Sequence, residues 1–311
     1  MGTGSLIENL WIEHEVAAIW VGNDPPYQTQ PTTGLTIRNS RIRDTYADGI
    51  NLDNGTSNSL VEDVHLRNTG DDAIAVWSIK WTDWVKEKTY EFGPDFFTPE
   101  ARNAPDQGIA HDNLVRNVSV QMPWRADCFA VYGGAGNRFK NSTCEDVLTY
   151  PGILVDFEFS PYPWGPSTTV FDGITLTRAG GSLTLEETGG ALKFSMHEGS
   201  IADVLARNID IVDPTYSGIE FRGYGSAFVA PGTNVSPWLV AAADAAAFSN
   251  VKLDSVHVTN AGRYGIEIVD DGGRGQVRFV GVTVAGSAVA ALQQGGAPDS
   301  FFLRGAGNSG W

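Results

Sequence analysis

Gly49-Ile50-Asn51-Leu52 and Ala73-Ile74-Ala75-Val76-Trp77 are two short apolar runs that begin 24 residues apart. That interval is far too long for a hairpin and suits one coil of a solenoid. The same interval separates Cys128 from Gly152, where two more apolar runs begin. Alternation turns Ile50, Leu52, Ile74 and Val76 inward, stacked coil on coil, and leaves Asn51, Asp53, Ala75 and Trp77 outward. Stacked strands lie about 4.8 Å apart, so residues distant in sequence share one patch of a long flat face. Acid precedes each run: Asp48 the first, Asp71 and Asp72 the second. Two carboxyl groups across a glycosidic bond are the minimal equipment for hydrolysing it.

The rest of the chain repeats this grammar. A strand, a polar corner and another strand recur at Ile37 to Ile42, Leu114 to Val120, Val204 to Ile211 and Val256 to Asn260. Asn39, Asn117, Asn208 and Asn260 mark the corners, because asparagine tolerates the left-handed conformation. A sharper match aligns Asn58-Ser59-Leu60-Val61-Glu62-Asp63-Val64 with Asn141-Ser142-Thr143-Cys144-Glu145-Asp146-Val147, flanked by Asp48 against Asp127 and Ala73 to Val76 against Gly152 to Val155. In that second pair of coils Tyr150-Pro151 stands where Asp71-Asp72 stood, so the acid pair is not needed to hold a coil together. Further strands are expected at Ser5 to Val21, with Leu6, Leu10 and Ile12 alternating, and at Val170 to Leu176, Ser182 to Leu185, Ala191 to Phe194, Gly218 to Phe221 and Val251 to Ala291. A short helix is expected near Leu239 to Phe248, and Phe301-Phe302-Leu303 as an end cap. Residues 79–113 form an aromatic insertion with little strand pattern, expected as a loop, carrying Trp81, Trp84 and, near its end, His111. The fold expected is all-β, a single parallel β-helix over residues 1–311. A propeller would need tight antiparallel hairpins that the sequence does not supply. Strand-like sequence begins by Ser5, with no leader ahead of it, so the chain is expected to lack the first coils of a longer parent.

Charge narrows the partners. Lys and Arg total 21 against 37 Asp and Glu, a net charge of −16. That balance, without a basic run, argues against nucleic acid, anionic membrane and polyanionic substrates. No stretch is long enough to span a membrane. Nine tryptophans suit sugar recognition, since sugar C–H groups pack on indole faces. Cys128 and Cys144 read as two small buried hydrophobes, with a single bridge as the alternative.

Ala47-Asp48-Gly49-Ile50, Thr69-Gly70-Asp71-Asp72-Ala73-Ile74-Ala75-Val76-Trp77-Ser78 and Ala130-Val131-Tyr132-Gly133-Gly134 resemble glycoside hydrolase family 87, the α-1,3-glucanases. The resemblance runs from about Ser5 to Phe221. It implies a right-handed parallel β-helix, secretion, and hydrolysis of α-1,3-glucan with inversion by three aspartates. Polygalacturonases share the Asp…Asp-Asp arrangement more loosely, but their Gly-His-Gly motif is absent from this sequence.

On this reading Asp71 is the general acid, and Asp48 and Asp72 hold and deprotonate water. Crowding raises the pKa of at least one of the three. An inverting pair is expected about 6.5–9.5 Å apart. Trp77, Tyr132, Trp81 and Trp84 are candidates to stack on glucose rings, Asp127 to bind hydroxyls, and His111 to face the cleft. No metal or other cofactor is required, although a structural calcium is allowed, and a monomer is expected. A calcium-dependent lyase would need a base near the acids, for which Arg125 is the candidate. Dextran is the nearest rival substrate, and a non-catalytic sugar-binding helix the rival of another class.

Overall fold

The computed structural model describes residues 3–22, 30–182, 188–223, 236–269, 273–295 and 301–311. The strand expected at Ser182 to Leu185 falls largely outside them. Two parallel sheets wind around one core. One contains nine strands, in spatial order from Ile19–Val21 through Ile50–Asp53, Ile74–Trp77, Phe129–Tyr132, Ile153–Asp156, Leu192–Met196, Ile219–Gly223 and Tyr264–Ile268 to Ala290–Gln294. The register is that expected: Ile50 on Ile74, Leu52 on Val76, Phe129 on Ile153. Ile50, Leu52, Ile74 and Val76 are fully buried in the core, each worth roughly 1.5–3 kcal/mol of apolar burial. Aromatic ladders continue the stack, with Phe139 on Phe171 and Phe194 on Phe221 at 5.0 and 5.1 Å.

The other sheet is bent along a line of left-handed residues: Asn9, Asn39, Asp63, Asn117, Asn141, Gly173, Asn208, Ser255 and Gly281 all have positive φ and occupy one register position. Two further left-handed corners flank it five residues away on either side, as at Asn58 and Asn68 around Asp63, or Asp203 and Asp213 around Asn208. Each coil therefore turns on corners five residues apart. Asn260 belongs to the second of these lines, not the first. The same spacing corrects the internal repeat. Leu60 stacks through Leu114 on Arg138, so the structural counterpart of Asn58 is Gly136, and Asn141 sits one corner later. Corners that share a conformation share a residue preference, and the alignment slipped by one of them.

Other expectations are revised. Residues 79–113 are not a plain loop: helix α1, Trp81–Phe92, and the short α2, Pro99–Arg102, lie within them. Trp81, Trp84, Val85 and Lys88 repeat at helical spacing, and Asp83 bridges Lys80 and Lys86 on the opposite face. At the first coil Ile7 and Ile12 pack on the core while Leu6 and Leu10 are exposed. Phe301–Ala306, expected as an end cap, pairs in parallel with Gly275–Val280 as the last strand of its sheet. Helix α3, Pro237–Ala245, forms where a short helix was expected. Cys128 and Cys144 are bridged, not free. Cys128 directly precedes the strand Phe129–Tyr132 of one sheet and Cys144 lies in Arg138–Glu145 of the other, so the bond ties the two faces of one coil across the core.

Candidate active site

The site is built on the start of three consecutive strands. Gly49 N–H donates to Asp72 O, and Ala73 N–H to Asp127 O, at 2.9 and 2.8 Å. Asp48, Asp72 and Asp127 therefore hold the same position in three stacked coils, and Pro151 ends the column in the fourth. Asp71 sits one residue upstream, its N–H donating to Ala47 O. Gly70 permits this close stacking: a Cβ there would lie 2.1 Å from Tyr46 O.

The side chains crowd. One oxygen each from Asp48, Asp71 and Asp72 lies within 4.8 Å of the others. The wide gap expected of an inverting pair is thus absent among these nearest atoms. Asp48 and Asp72 are 6% and 4% exposed, whereas the Asp71 side chain is 41% exposed. Tyr132 Oη donates to Asp72 Oδ2 at 3.0 Å, and Asp127 N–H to Asp72 Oδ1 at 3.2 Å. Asn51 Nδ2 lies 3.4 Å from Asp48 Oδ2. Asn51 Oδ1 and Asp127 Oδ1 are buried and accept no hydrogen bond from the described residues. Arg125 Nη2 donates to Asp71 Oδ2 at 2.7 Å, and its guanidinium lies over the Tyr46 and Trp124 rings; the buried Lys193 ammonium also acts on Asp127.

Proton affinities follow. Burial, then repulsion from Asp72 and Asp71, pushes Asp48 up to about 8. Burial, then Asp71, pushes Asp72 up to about 7, against the donors Asp127 N–H and Tyr132 Oη. Burial beside Asp72 raises Asp127 well above the usual carboxylate range. The stack therefore holds both protonated and ionised carboxyls near neutrality, the condition for acid and base catalysis in one place.

An aromatic wall stands beside it. Phe159 packs edge-on against Trp77, Trp84 and Tyr132, and Trp77 Nε1 donates to Phe159 O. Trp84 also meets Trp77 edge-on and carries the Lys88 ammonium on its face. Two expected wall residues stand elsewhere. Trp81 is 1% exposed, its indole N–H held by Ala101 O in a small core with Ile79 and Val85; it supports α1 and cannot stack on a sugar. His111 lies at a corner between Ser57 and Ala135, bonded to Asp112. The sequence reading missed Phe159 as a wall residue and Asn51 as a partner of Asp48, and it weighed Arg125 only for a lyase.

A second charged group occupies the neighbouring coils of the same face. Asp156, next to Tyr132 in register, accepts from His197 Nδ1 at 3.0 Å, and Glu158 lies 3.6 Å from the same nitrogen. Either group brings three ligand atoms together. Calcium prefers six to eight oxygens; Arg125 already occupies one aspartate of the first group, and the second supplies an imidazole.

Residues 3–311 match the family described as α-1,3-glucanase catalytic domain D2. Solved structures align along nearly the whole chain. The catalytic domain of a GH87 α-1,3-glucanase with an aspartate-to-alanine substitution, in complex with tetrasaccharides, is 28% identical with a TM-score of 0.77, over 99% of this chain and 50% of that one. A catalytic domain of this type in complex with nigerose is 27% identical with a TM-score of 0.74, over 98% and 49%. The catalytic unit of the thermostable enzyme from Streptomyces thermodiastaticus strain HF3-3 is 27% identical with a TM-score of 0.72, over 100% and 49%. The chain thus spans about half the length of these structures. Among the matching complexes are three different single aspartate-to-alanine forms, at positions 23 and 1 residues apart. No curated protein matches the chain.

Proposed function

Because this chain belongs to the family of α-1,3-glucanase catalytic domains, we propose that it hydrolyses α-1,3-glucan, with Asp48, Asp71 and Asp72 carrying the chemistry. The observation that carries the assignment is the crowding of these three carboxyls at one site. Support comes from the solved complexes, whose substituted aspartates are spaced as Asp48, Asp71 and Asp72 are, 23 and 1 apart.

Exposure divides the roles. Asp71 is the member open enough to reach a glycosidic oxygen, so it is the general acid. Asp48 and Asp72 admit a water but not a sugar ring, so they hold and deprotonate the nucleophile instead of forming a covalent sugar ester. That division favours inversion, although the spacing of the nearest oxygens does not select it. In the free protein Asp71 is paired with Arg125, and Asp48 holds the proton. When glucan displaces Arg125, the proton passes from Asp48 to Asp71. The exchange creates the acid and frees the base together, with no change in the number of protons. Trp77, Tyr132 and Phe159 line the sugar path, and Asp127 contributes through Asp72. The carboxyls supply the acid and the base, so the reaction needs no metal. Chelator should leave the rate unchanged; a chelator-sensitive rate restored by calcium would contradict this.

The protein acts as a monomer outside the cell, where a buried disulfide persists and an insoluble polymer is met. Substrate and stereochemistry are tested together. α-1,3-Glucan, dextran and polygalacturonate are supplied in parallel, and the first-formed anomer is read by NMR. Release of β-anomeric product from α-1,3-glucan alone is expected. An α-anomer would overturn inversion, and activity confined to dextran would overturn the substrate.

A further inference from the structure

A groove lies outside the aspartate cluster, between α1, α3 and the segment Phe157 to Pro163. It encloses about 350 Å³, within the range of small-ligand sites. Its walls are Trp238 from α3, Phe157, Pro161 and Pro163 from the connecting segment, and Asp83 with Lys86 from α1. Trp238 is 47% exposed. Tyr90 meets its ring edge-on, with centroids 5.5 Å apart and planes at 73°, which braces the half-exposed indole.

The floor is fixed. Phe159 and Ser160 both have left-handed φ, 65° and 49°. Glu198 accepts both of their N–H groups, at 3.3 and 2.8 Å, and Ser160 Oγ donates to Glu87 at 2.6 Å. One turn therefore sends Phe159 to the aromatic wall beside Tyr132 and Ser160 to the groove. The two surfaces are the two sides of a single short segment.

We infer that this groove is a second carbohydrate-binding site, which holds a neutral α-glucan strand away from the reacting bond. An exposed indole with apolar ring and proline surfaces suits the C–H faces of sugars. The Lys80–Asp83–Lys86 row offers donors and acceptors to hydroxyls. Anions are disfavoured: Asp83 pairs both lysines, and the carboxyls of Glu198 and Glu87 lie beneath. Continuity with the aromatic wall makes the occupant the same polymer. The inference rests on the glucan reading above, and its test separates the two.

The experiment compares wild type, Trp238→Ala and Trp238→Tyr. Binding to insoluble α-1,3-glucan is measured by co-sedimentation, and kcat/KM on a soluble α-1,3-linked tetrasaccharide alongside. Trp238→Ala should weaken sedimentation about tenfold, the equivalent of about 1.4 kcal/mol, and leave tetrasaccharide hydrolysis within about twofold, with Trp238→Tyr restoring most of the binding. Unchanged sedimentation of Trp238→Ala would overturn the site. So would an equal loss on the tetrasaccharide, which would place Trp238 in the aspartate site or the fold. Wild type that sediments through Trp238 yet cleaves neither substrate would uphold the groove and remove the hydrolase reading.

Discussion

Two acidic clusters share the outward face of the nine-stranded sheet, and Tyr132 stands between them. Asp48, Asp71, Asp72 and Asp127 face one another, with Arg125 reaching only the outermost, Asp71. Asp156 and Glu158 face His197. Burial works against a charged imidazole, yet the two carboxylates raise its pKa. The second cluster is an internal ion pair that suits structure. The first must keep protons on carboxyls that are ordinarily ionised, a condition that costs stability and creates acid and base. Burial raises a carboxyl in each cluster, Glu158 included; the first differs in that its aspartates crowd one another, with one guanidinium hydrogen-bonded at its edge.

The sharpest way to break this comparison is to neutralise one acid in each cluster. Asp72→Asn should lose about 10³-fold or more of kcat on α-1,3-glucan, the scale of a positioned acid or base, with an unchanged melting temperature or a higher one. Asp156→Asn should keep activity within about tenfold and lose stability. The reverse pattern would exchange the roles of the clusters. His197→Ala takes the imidazole from the buried Asp156, which keeps the Phe157 N–H, and should cost about 3 kcal/mol, read from denaturant unfolding. A cost below about 1 kcal/mol would show that His197 is not the structural cation.

The pH dependence of stability separates the clusters further. Asp48 and Asp72 have folded pKa values raised from 3.8 to about 8 and about 7. Their contribution is complete below about 4 and is lost as pH rises through 7 to 8. His197 is also raised, from 6.5, so its contribution is complete below that value and lost only above it. Between pH 4 and 6.5 Asp48 and Asp72 act together with Glu158 and Glu198, which burial also raises, and Asp48→Asn should reduce the wild-type decline in melting temperature there. Parallel curves would contradict the assignment. The smallest effect is at Arg125. Arg125→Ala removes the cation that pairs with Asp71, so kcat/KM on α-1,3-glucan should change by less than about fivefold at this exposed pair. Arg125→Lys should restore most of the wild-type value.

Much of this was legible in the chain. The 24-residue interval and the alternation at Ile50 to Asp53 and Ile74 to Trp77 fix register and facing, because a strand's side-chain period admits one solution once the core is apolar. The acid stack followed from that register. The slip between Asn58 and Asn141 has a physical cause, since corners five residues apart demand the same left-handed residue. Helix α1 was obscured because its buried stripe is short and sits among exposed aromatics. Arg125 and His197 could not be placed from spacing alone: each reaches its partner across coils, 54 and 41 residues away in sequence. Phe159 lies in a loop whose left-handed turn has no glycine to announce it.

The most direct test of the catalytic account is a crystal structure of Asp72→Asn with an α-1,3-linked tetrasaccharide. The account predicts the scissile oxygen within hydrogen-bond distance of Asp71, Arg125 moved away from that carboxyl, and a water between Asp48 and Asn at position 72 facing the anomeric carbon. A sugar seated with its scissile oxygen against Asp48, or lodged over Asp156 and His197 with the aspartate stack untouched, would contradict it.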